Sequence, residues 1–363
     1  MTVIRPLQRA DLPEAATLYD IGFSDGARPA DPAIAGLLER ILFDNPWTDP
    51  ELPSLLATDD DGRAVGLIGA SARRMLLDGR PVRVVVESHL VVDPAAGDPL
   101  LAPRLIQRIL DGPQDATVTD TATDTVRRMW MRLGGSMRHI ECVEWIRVFR
   151  PGATAASIAQ RARRGRPMPA LRPLAAALDV ATAAAAGRYL RTTPGVARVQ
   201  TLTPDAILEH LPAVTDHLGL FADYEEGFLH WLFREAARAY RDGTIVRNLV
   251  LGSDGRALGW YVYVLRPGSV SEVLQIASTE RRVGDVLDEL LAHARAHGSA
   301  ALRGRLEPAL VEPAARRRCL LRYAGRALIH SRDPAFLQAV ATGSALLTKL
   351  DGEWWFESAS GWT

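Results

Sequence analysis

The sequence predicts an α/β fold (α+β by some schemes) built from two tandem domains, each a mixed, mostly antiparallel sheet flanked by helices. Three observations predict it. The chain has 363 residues, and at roughly 100–200 residues per domain two domains are the default. The order β-α-(α)-β-β-β-α-β-α-β can be read twice along it, and a repeat of that length is two copies of one domain, not a solenoid. Each reading holds a hairpin around an Asp/Gly turn, at 59–62 and at 252–255, a composition that supplies left-handed backbone where a tight turn needs it. The expected division is 1–150, an Ala/Arg/Pro-rich linker at 151–195, and 196–363.

In the first half, 3–5 reads as a strand. Asp11 is an N-cap with Pro13 and Glu14 in the first turn of a helix running to Phe23. Ile34, Leu37, Leu38, Ile41 and Leu42 give 33–43 helical spacing. Strands at 54–58 and 64–74 flank the first turn, and Gly79 precedes a long β-branched strand at 82–92. A helix at 100–110 ends at Gly112-Pro113, a strand covers 116–119, and a helix at 124–133 ends at Gly134-Gly135. A last strand covers 143–149. The linker carries Arg161, Arg163, Arg164 and Arg166, then Pro167 and Pro169, then an alanine-rich helix over 175–186, and reads as a solvated connector. The second half repeats the plan: strand 196–201, a helix opened by Thr203-Pro204, helix 228–240, strands 245–251, 257–266 and 270–277, helix 283–297, strand 301–306, helix 313–323 ended by Gly325, and a closing strand at 345–350.

Composition narrows the function. Forty-three basic residues balance forty-three acidic ones, whereas nucleic-acid and anionic-membrane binders carry a basic excess; neither partner is expected. Two cysteines, Cys142 and Cys319, form no metal or disulfide framework, and the compartment reads as reducing cytoplasm. The N-terminus lacks the apolar stretch of a signal peptide, and no window is long and apolar enough to span a membrane. Lys349 is the only lysine among the basic residues; that arginine bias, with abundant alanine, is the codon signature of a GC-rich bacterium. His210, His217 and His230 have spacings that fit no compact metal pair, so no metal is assigned.

The order and its junctions resemble the GNAT acyltransferase superfamily, as two tandem copies similar to the organisation of mycothiol synthase. IRPLQRADLPEAATL looks like the family's first strand and helix, VVVESHLVVDPAAGDPLLAPRLIQRIL like its central strand–loop–helix motif, and TDTATDTVRRMWMRLGG like its strand–helix–glycine ending. In the second copy VSEVLQIASTERRVGDVLDELLAHA matches the central motif. The resemblance implies acetyl-CoA or another acyl-CoA as cosubstrate and an amine of a small molecule or peptide as acceptor. It also implies two parallel strands that splay after the fourth strand to admit the pantetheine arm, and a helix N-terminus for the pyrophosphate.

Against the family pattern Q/R-x-x-G-x-G/A, the second copy supplies Arg281, Arg282, Val283, Gly284, Asp285 and Val286, preceded on the strand by Ile276, Ala277 and Ser278. The first copy supplies Val91, Val92, Ala96 and Gly97 but adds Asp98 and Pro99. Glu87 lies five residues before Val92 and Glu272 five before Ala277, the place where many family members put a catalytic glutamate. Plain strand alternation puts Glu87 and His89 on one face. The family's tyrosine acid is replaced by Trp130 in one copy and Leu321 in the other, with Tyr323 nearby. The better phosphate loop favours the second copy as donor site, with Glu272 facing the thioester; the alternative places the site at 91–104 with Glu87 and His89. Phe221, Tyr224, Phe228, Trp231, Phe233, Trp354, Trp355 and Phe356 suit core packing before an acyl-chain lining.

Two classes of function remain open. One is an N-acyltransferase, using acetyl-CoA, a longer acyl-CoA or an acyl carrier protein as donor. The other is a catalytically degraded CoA-binding or partner-binding protein. The two copies are expected to pack as an internal pseudo-dimer, so the chain is a monomer or a homodimer.

Overall fold

A computed structural model describes residues 2–23, 32–162, 171–192, 195, 197–353 and 356. Arg163, Arg164, Arg166, Pro167, Pro169, Val196, Trp354 and Trp355 lie outside them. The first half contributes β1 (Val3–Pro6), β2 (Leu55–Thr58), β3 (Ala64–Leu77), β4 (Arg80–Val92), β5 (Ala116–Thr119), β6 (Ser136–Met137) and β7 (Val143–Val148). Its helices are α1 (Leu12–Phe23), α2 (Pro32–Leu42), α3 (Leu101–Leu110) and α4 (Asp124–Arg132). The middle holds α5 (Pro151–Ala162) and α6 (Leu171–Leu190), antiparallel neighbours that meet where a Cβ on Gly152 would lie 2.0 Å from the Ala175 carbonyl. The second half adds β8 (Arg198–Thr201), β9 (Leu220–Ala222), β10 (Thr244–Leu251), β11 (Ala257–Leu265), β12 (Val270–Ser278), β13 (Ala301–Arg305), β14 (Leu320–Tyr323), β15 (Leu328–Ser331) and β16 (Ala345–Leu346). Its helices are α7 (Pro204–Thr215), α8 (Glu226–Ala239), α9 (Val283–Ala296), α10 (Val311–Arg316) and α11 (Pro334–Thr342).

Two mixed sheets form. One runs β1-β2-β3-β4-β5-β15-β6, with β9 and β16 attached through β3; the other runs β14-β7-β13-β12-β11-β10-β8. The expected two-copy plan is therefore present, but the last strands are exchanged. β7, from the first half, pairs with β13 and β14 in the second sheet. β15, from the second half, sits between β5 and β6 in the first. A division at residue 150 thus leaves β7 in sequence with one half and in hydrogen bonding with the other. The expected helix at 313–323 is a short helix, α10, followed by edge strand β14. The four β14 residues are exposed, so burial gives no period by which sequence could tell strand from helix.

Each sheet has a parallel pair that parts early. β4 pairs with β5 only at 84–86 against 116–118, and β12 with β13 only at 270–272 against 301–303. The rest of β4 and of β12 then faces a splay. A central core lies between the sheets and draws on both halves: Trp47 stacks on Phe228, with Tyr224 and Trp231 beside it. Tyr224, Phe228, Trp231, Phe233 and Phe356 therefore pack as core, with Phe221 against it. Separate cores lie beneath α3 and α4 and beneath α9.

Candidate functional site

In β4 the residues 82, 84 and 86 pack in the central core, and Val85 packs under α3. An uninterrupted strand would keep that alternation. Instead Val91 joins the central core while Leu90 and Val92 pack under α3, so the phase has flipped. The cause is a bulge: the register against β3 shifts between Leu67 and Gly69, and His89 has φ of 53°. Gly69 makes room for it, since a Cβ there would lie 2.7 Å from Ser88 Oγ. The expectation that Glu87 and His89 share a face is corrected accordingly. His89 turns toward Tyr19 and Phe356, ring centroids 5.4 and 6.0 Å away. Glu87 lies on the opposite face, beside Trp130.

Glu87 is buried, and burial pushes its carboxyl up to about 7, opposed only by the nearby Trp130 indole N–H. A second acid enters this splay from the end of the chain. Glu353 Oε1 accepts from Thr119 Oγ1 (2.5 Å), Thr121 Oγ1 (2.6 Å), Thr121 N (3.0 Å) and Asp120 N (3.2 Å). Burial, then the negative charges of Asp120 and Glu87, hold its carboxyl well above the usual range. His89 is pushed down to about 4 by burial, so its ring is neutral at physiological pH, with Nδ1 2.8 Å from Ser88 Oγ. Four buried atoms around this splay, Glu353 Oε2, His89 Nε2, Trp130 Nε1 and Arg73 Nη2, lack a hydrogen-bond partner of ordinary geometry. Such atoms are uncommon in folded proteins, and one occurs at the second splay as well, Arg303 Nε. What sets the first splay apart is that neither Glu87 nor Glu353 has a cation within ion-pair distance among the described residues, whereas Glu272 has two.

The second splay is different. Glu272 is buried and bound by Arg303 Nη2 (3.0 Å) and Lys349 Nζ (3.0 Å). Those two cations outweigh burial and hold its carboxyl far below the usual range. A carboxylate so stabilised is a very weak base, which corrects the role expected of Glu272. The chain also fills the gap: Leu350 N–H donates to Leu274 O at 3.0 Å, and Gln275 Nε2 donates to Thr348 Oγ1 at 3.2 Å. The β12 edge is therefore bonded to Leu350 at Leu274, with a side-chain bond to Thr348 beside it. Ile276 and Ala277 are buried, with Ser278 half-buried at the end of β12. Tyr323 is 57% exposed on the outer edge strand β14, two strands from β13, and is not brought to the splay.

The two expected phosphate loops differ as well. At the start of α9, Arg281 has φ of 63° and its side chain is exposed, as are those of Arg282 and Asp285, which pair at 3.0 Å. Arg317 lies over Gly284, donating to its carbonyl at 2.7 Å and pairing with Asp288. Val283 is half-buried and Val286 belongs to the core beneath α9. In the first copy Ala96 closes a 3-10 turn and Gly97 has φ of 63° with open space where a Cβ would stand. Asp98 Oδ1 caps the next turn by accepting Leu100 N–H at 3.0 Å, and its other oxygen pairs with Arg104.

Sequence reading missed Glu353, Arg73, Asp351 and Lys349. Arg73, fully buried, donates to Asp351 O (2.9 Å) and Ser71 Oγ (2.9 Å), and Asp351 accepts from Tyr224 OH. Two signals were present: a solitary lysine in an arginine-biased chain, and a charged pair, Arg73-Arg74, inside an apolar strand. Among the described residues no group of His, Cys, Asp and Glu could hold a metal ion, and no helix is long and apolar enough to cross a membrane.

No family model matches the sequence, and no curated protein matches it. Solved structures do. A GCN5-related N-acetyltransferase from Anabaena variabilis superposes with a TM-score of 0.58 at 11% identity, covering 92% of this chain and 73% of that one. One from Kribbella flavida gives 0.54 at 14% identity, covering 93% and 73%. Yeast N-myristoyltransferase with bound myristoyl-CoA gives 0.50 at 9% identity, covering 90% and 81%. The fold is thus that of the GNAT N-acyltransferases, in two tandem α/β units.

Proposed function

We propose that the chain is an acyl-CoA-dependent N-acyltransferase whose site lies at the splay of the first sheet. The carrying observation is the contrast between the acids of the two splays: Glu272 in the second is bound by Arg303 and Lys349, while Glu87 in the first has no cation partner among the described residues and is pushed up to about 7. This reading moves the donor away from the second copy, where the phosphate loop alone had pointed. An acyl-CoA would supply an activated acyl carbon. The edge of β4 at 90–92, which no described strand pairs on the β5 side, would hold the pantetheine amides, and the turn at Ala96 and Gly97, with Arg104, would meet the phosphates. Glu87, held near neutrality, is suited to take a proton from an amine. The acceptor is an amine of a small molecule or peptide, and CoA thioesters place the reaction in the cytoplasm.

Titration calorimetry with CoA and with acetyl-, octanoyl- and myristoyl-CoA tests the placement, and release of free thiol with a panel of amines tests the activity. Gly97→Glu should abolish binding and Gly284→Glu should leave it within threefold. The reverse pattern returns the donor to the second copy. Binding without thiol release for any amine favours a CoA-binding protein without transfer activity.

A further inference from the structure

Acyl transfer to an amine moves two protons. As the C–N bond forms the nitrogen loses one, and as the C–S bond breaks the sulfur needs one. Glu87 has capacity for one of these tasks at a time. Beside it stands Trp130, fully buried, whose indole N–H is not an acid at any physiological pH. The structure supplies another candidate. Glu353 is 1% exposed and is fixed through Oε1 by four donors from the end of β5 and the loop after it. Its other oxygen, Oε2, is unpartnered.

The surroundings of the two acids decide how many protons they hold. Glu87 on β4 and Thr119 on β5 each follow the paired Val86 and Val118, and Thr119 Oγ1 donates to Glu353 Oε1, which brings Glu353 to Glu87 at the opening of the splay. Asp120, whose carboxyl burial also raises, and more remotely Arg73 from β3 complete the surroundings. Asp120 is itself engaged, by Arg305 at 3.3 Å and by Glu353 N–H at 3.3 Å. Glu87 faces Trp130. No cation within salt-bridge distance touches either Glu87 or Glu353 among the described residues: Arg73 gives Nε and Nη1 to Asp351, Ser71 and Ala72, and Arg305 pairs with Asp120. Two buried carboxyls that repel each other without a cation cannot both ionise, and the economical state holds one proton between them.

We propose that Glu87 and Glu353 form a one-proton carboxyl pair that acts as both base and acid in the transfer. Glu353 is thereby a catalytic residue delivered to the first sheet by the last segment of the second half. The ionised member accepts the proton the amine loses as nitrogen bonds to the acyl carbon. The protonated member gives its proton to sulfur as that carbon–sulfur bond breaks. The pair ends with one proton, as it began, and amide plus free thiol leave. This rests on the acyltransferase reading, and its test separates the two.

The first measurement needs no turnover. The infrared difference between the parent protein and Glu353→Gln at pH 7 should contain the C=O band of a protonated carboxylic acid that Glu87→Gln also alters. A difference showing only ionised carboxylate overturns the pair even if the enzyme is active. The second measurement is kinetic. The parent should give a bell-shaped kcat profile, and Glu353→Gln should lower kcat about a hundredfold, leave KM for acyl-CoA within threefold, and lose one limb of the bell. A kcat within threefold of the parent, or both limbs retained, overturns the proposal. If the parent transfers no acyl group, the acyltransferase reading fails, and with it the pair's catalytic role, whatever the infrared result. Glu353→Asp, which keeps the carboxyl, serves if the glutamine variant does not fold: it should retain the band and show a smaller loss.

Discussion

A carboxyl buried without a cation keeps its proton, and Glu87 and Glu272 show how far neighbours decide the matter. They occupy matching places on β4 and β12, yet one is pushed up to about 7 and the other far below its ordinary range. Two effects on pH follow. The folded state binds the Glu87 proton more tightly than the unfolded chain, whose value is about 4.5. Its contribution to stability is therefore complete below about 4.5 and is lost as pH rises through about 7. Glu87→Gln should flatten the fall in melting temperature over that range; an unchanged slope by calorimetry would contradict it. Glu272 has the opposite sign: its ion pairs stabilise the fold above the unfolded value and fail only in strong acid. Lys349→Met leaves that buried carboxylate with Arg303 alone among its close cations, and should destabilise by about 3–5 kcal/mol in urea unfolding. The double variant Lys349→Met, Glu272→Gln should recover part of the loss, because the buried negative charge goes while the amide oxygen still accepts from Arg303, which keeps Glu144 as a nearby carboxylate.

At the scale of elements, the bulge in β4 and the loop before α3 shape the candidate site. The bulge flips the strand's phase at His89 and leaves Glu87 facing α4. The loop is closed by an anion of the chain's own: Asp98 caps the turn and engages Arg104. A phosphate group would compete with that carboxylate for the same guanidinium and the same positive end of the helix. Asp98→Asn keeps the cap and removes the charge, so CoA should bind severalfold more tightly, by calorimetry at low ionic strength. Weaker binding would show that Asp98 orders the loop in a way the charge change disturbs.

For the whole molecule, the exchange of β7 and β15 ties the halves together. Residues 1–150 alone carry a β7 without its ladder partners and a sheet missing the strand between β5 and β6. That fragment should be insoluble or molten by near-UV circular dichroism. Residues 1–192 and 193–363, produced together as separate chains, should copurify as a folded pair. A well-folded 1–150 monomer would count against the importance of the exchanged strands. The last segment adds a second tie, with Lys349 and Leu350 bound in the second splay and Glu353 in the first.

What the sequence determined by itself was the local and periodic part. A cap at Thr203, Gly-rich turns after α4 and α9, β-branched runs and two Asp/Gly hairpins fixed the order of elements, and the order repeated, although Asp11, expected as a cap, sits inside a 3-10 turn capped by Gln8 and accepts the Gln8 N–H. It also marked the two glutamates at matching places, since strand position is a matter of counting. Sequence could not say which sheet β7 and β15 join, because a short strand's partners are chosen by the free edges that three dimensions offer. Nor could it show that a β-bulge turns His89 away from Glu87, or that residues 348–353 supply Lys349 to one acid and Glu353 to the other. Those contacts join residues more than 70 positions apart, and the protonation of each acid follows from the charges so assembled. Only the tertiary structure decides that, because a carboxyl's affinity for its proton is set by what surrounds it in space.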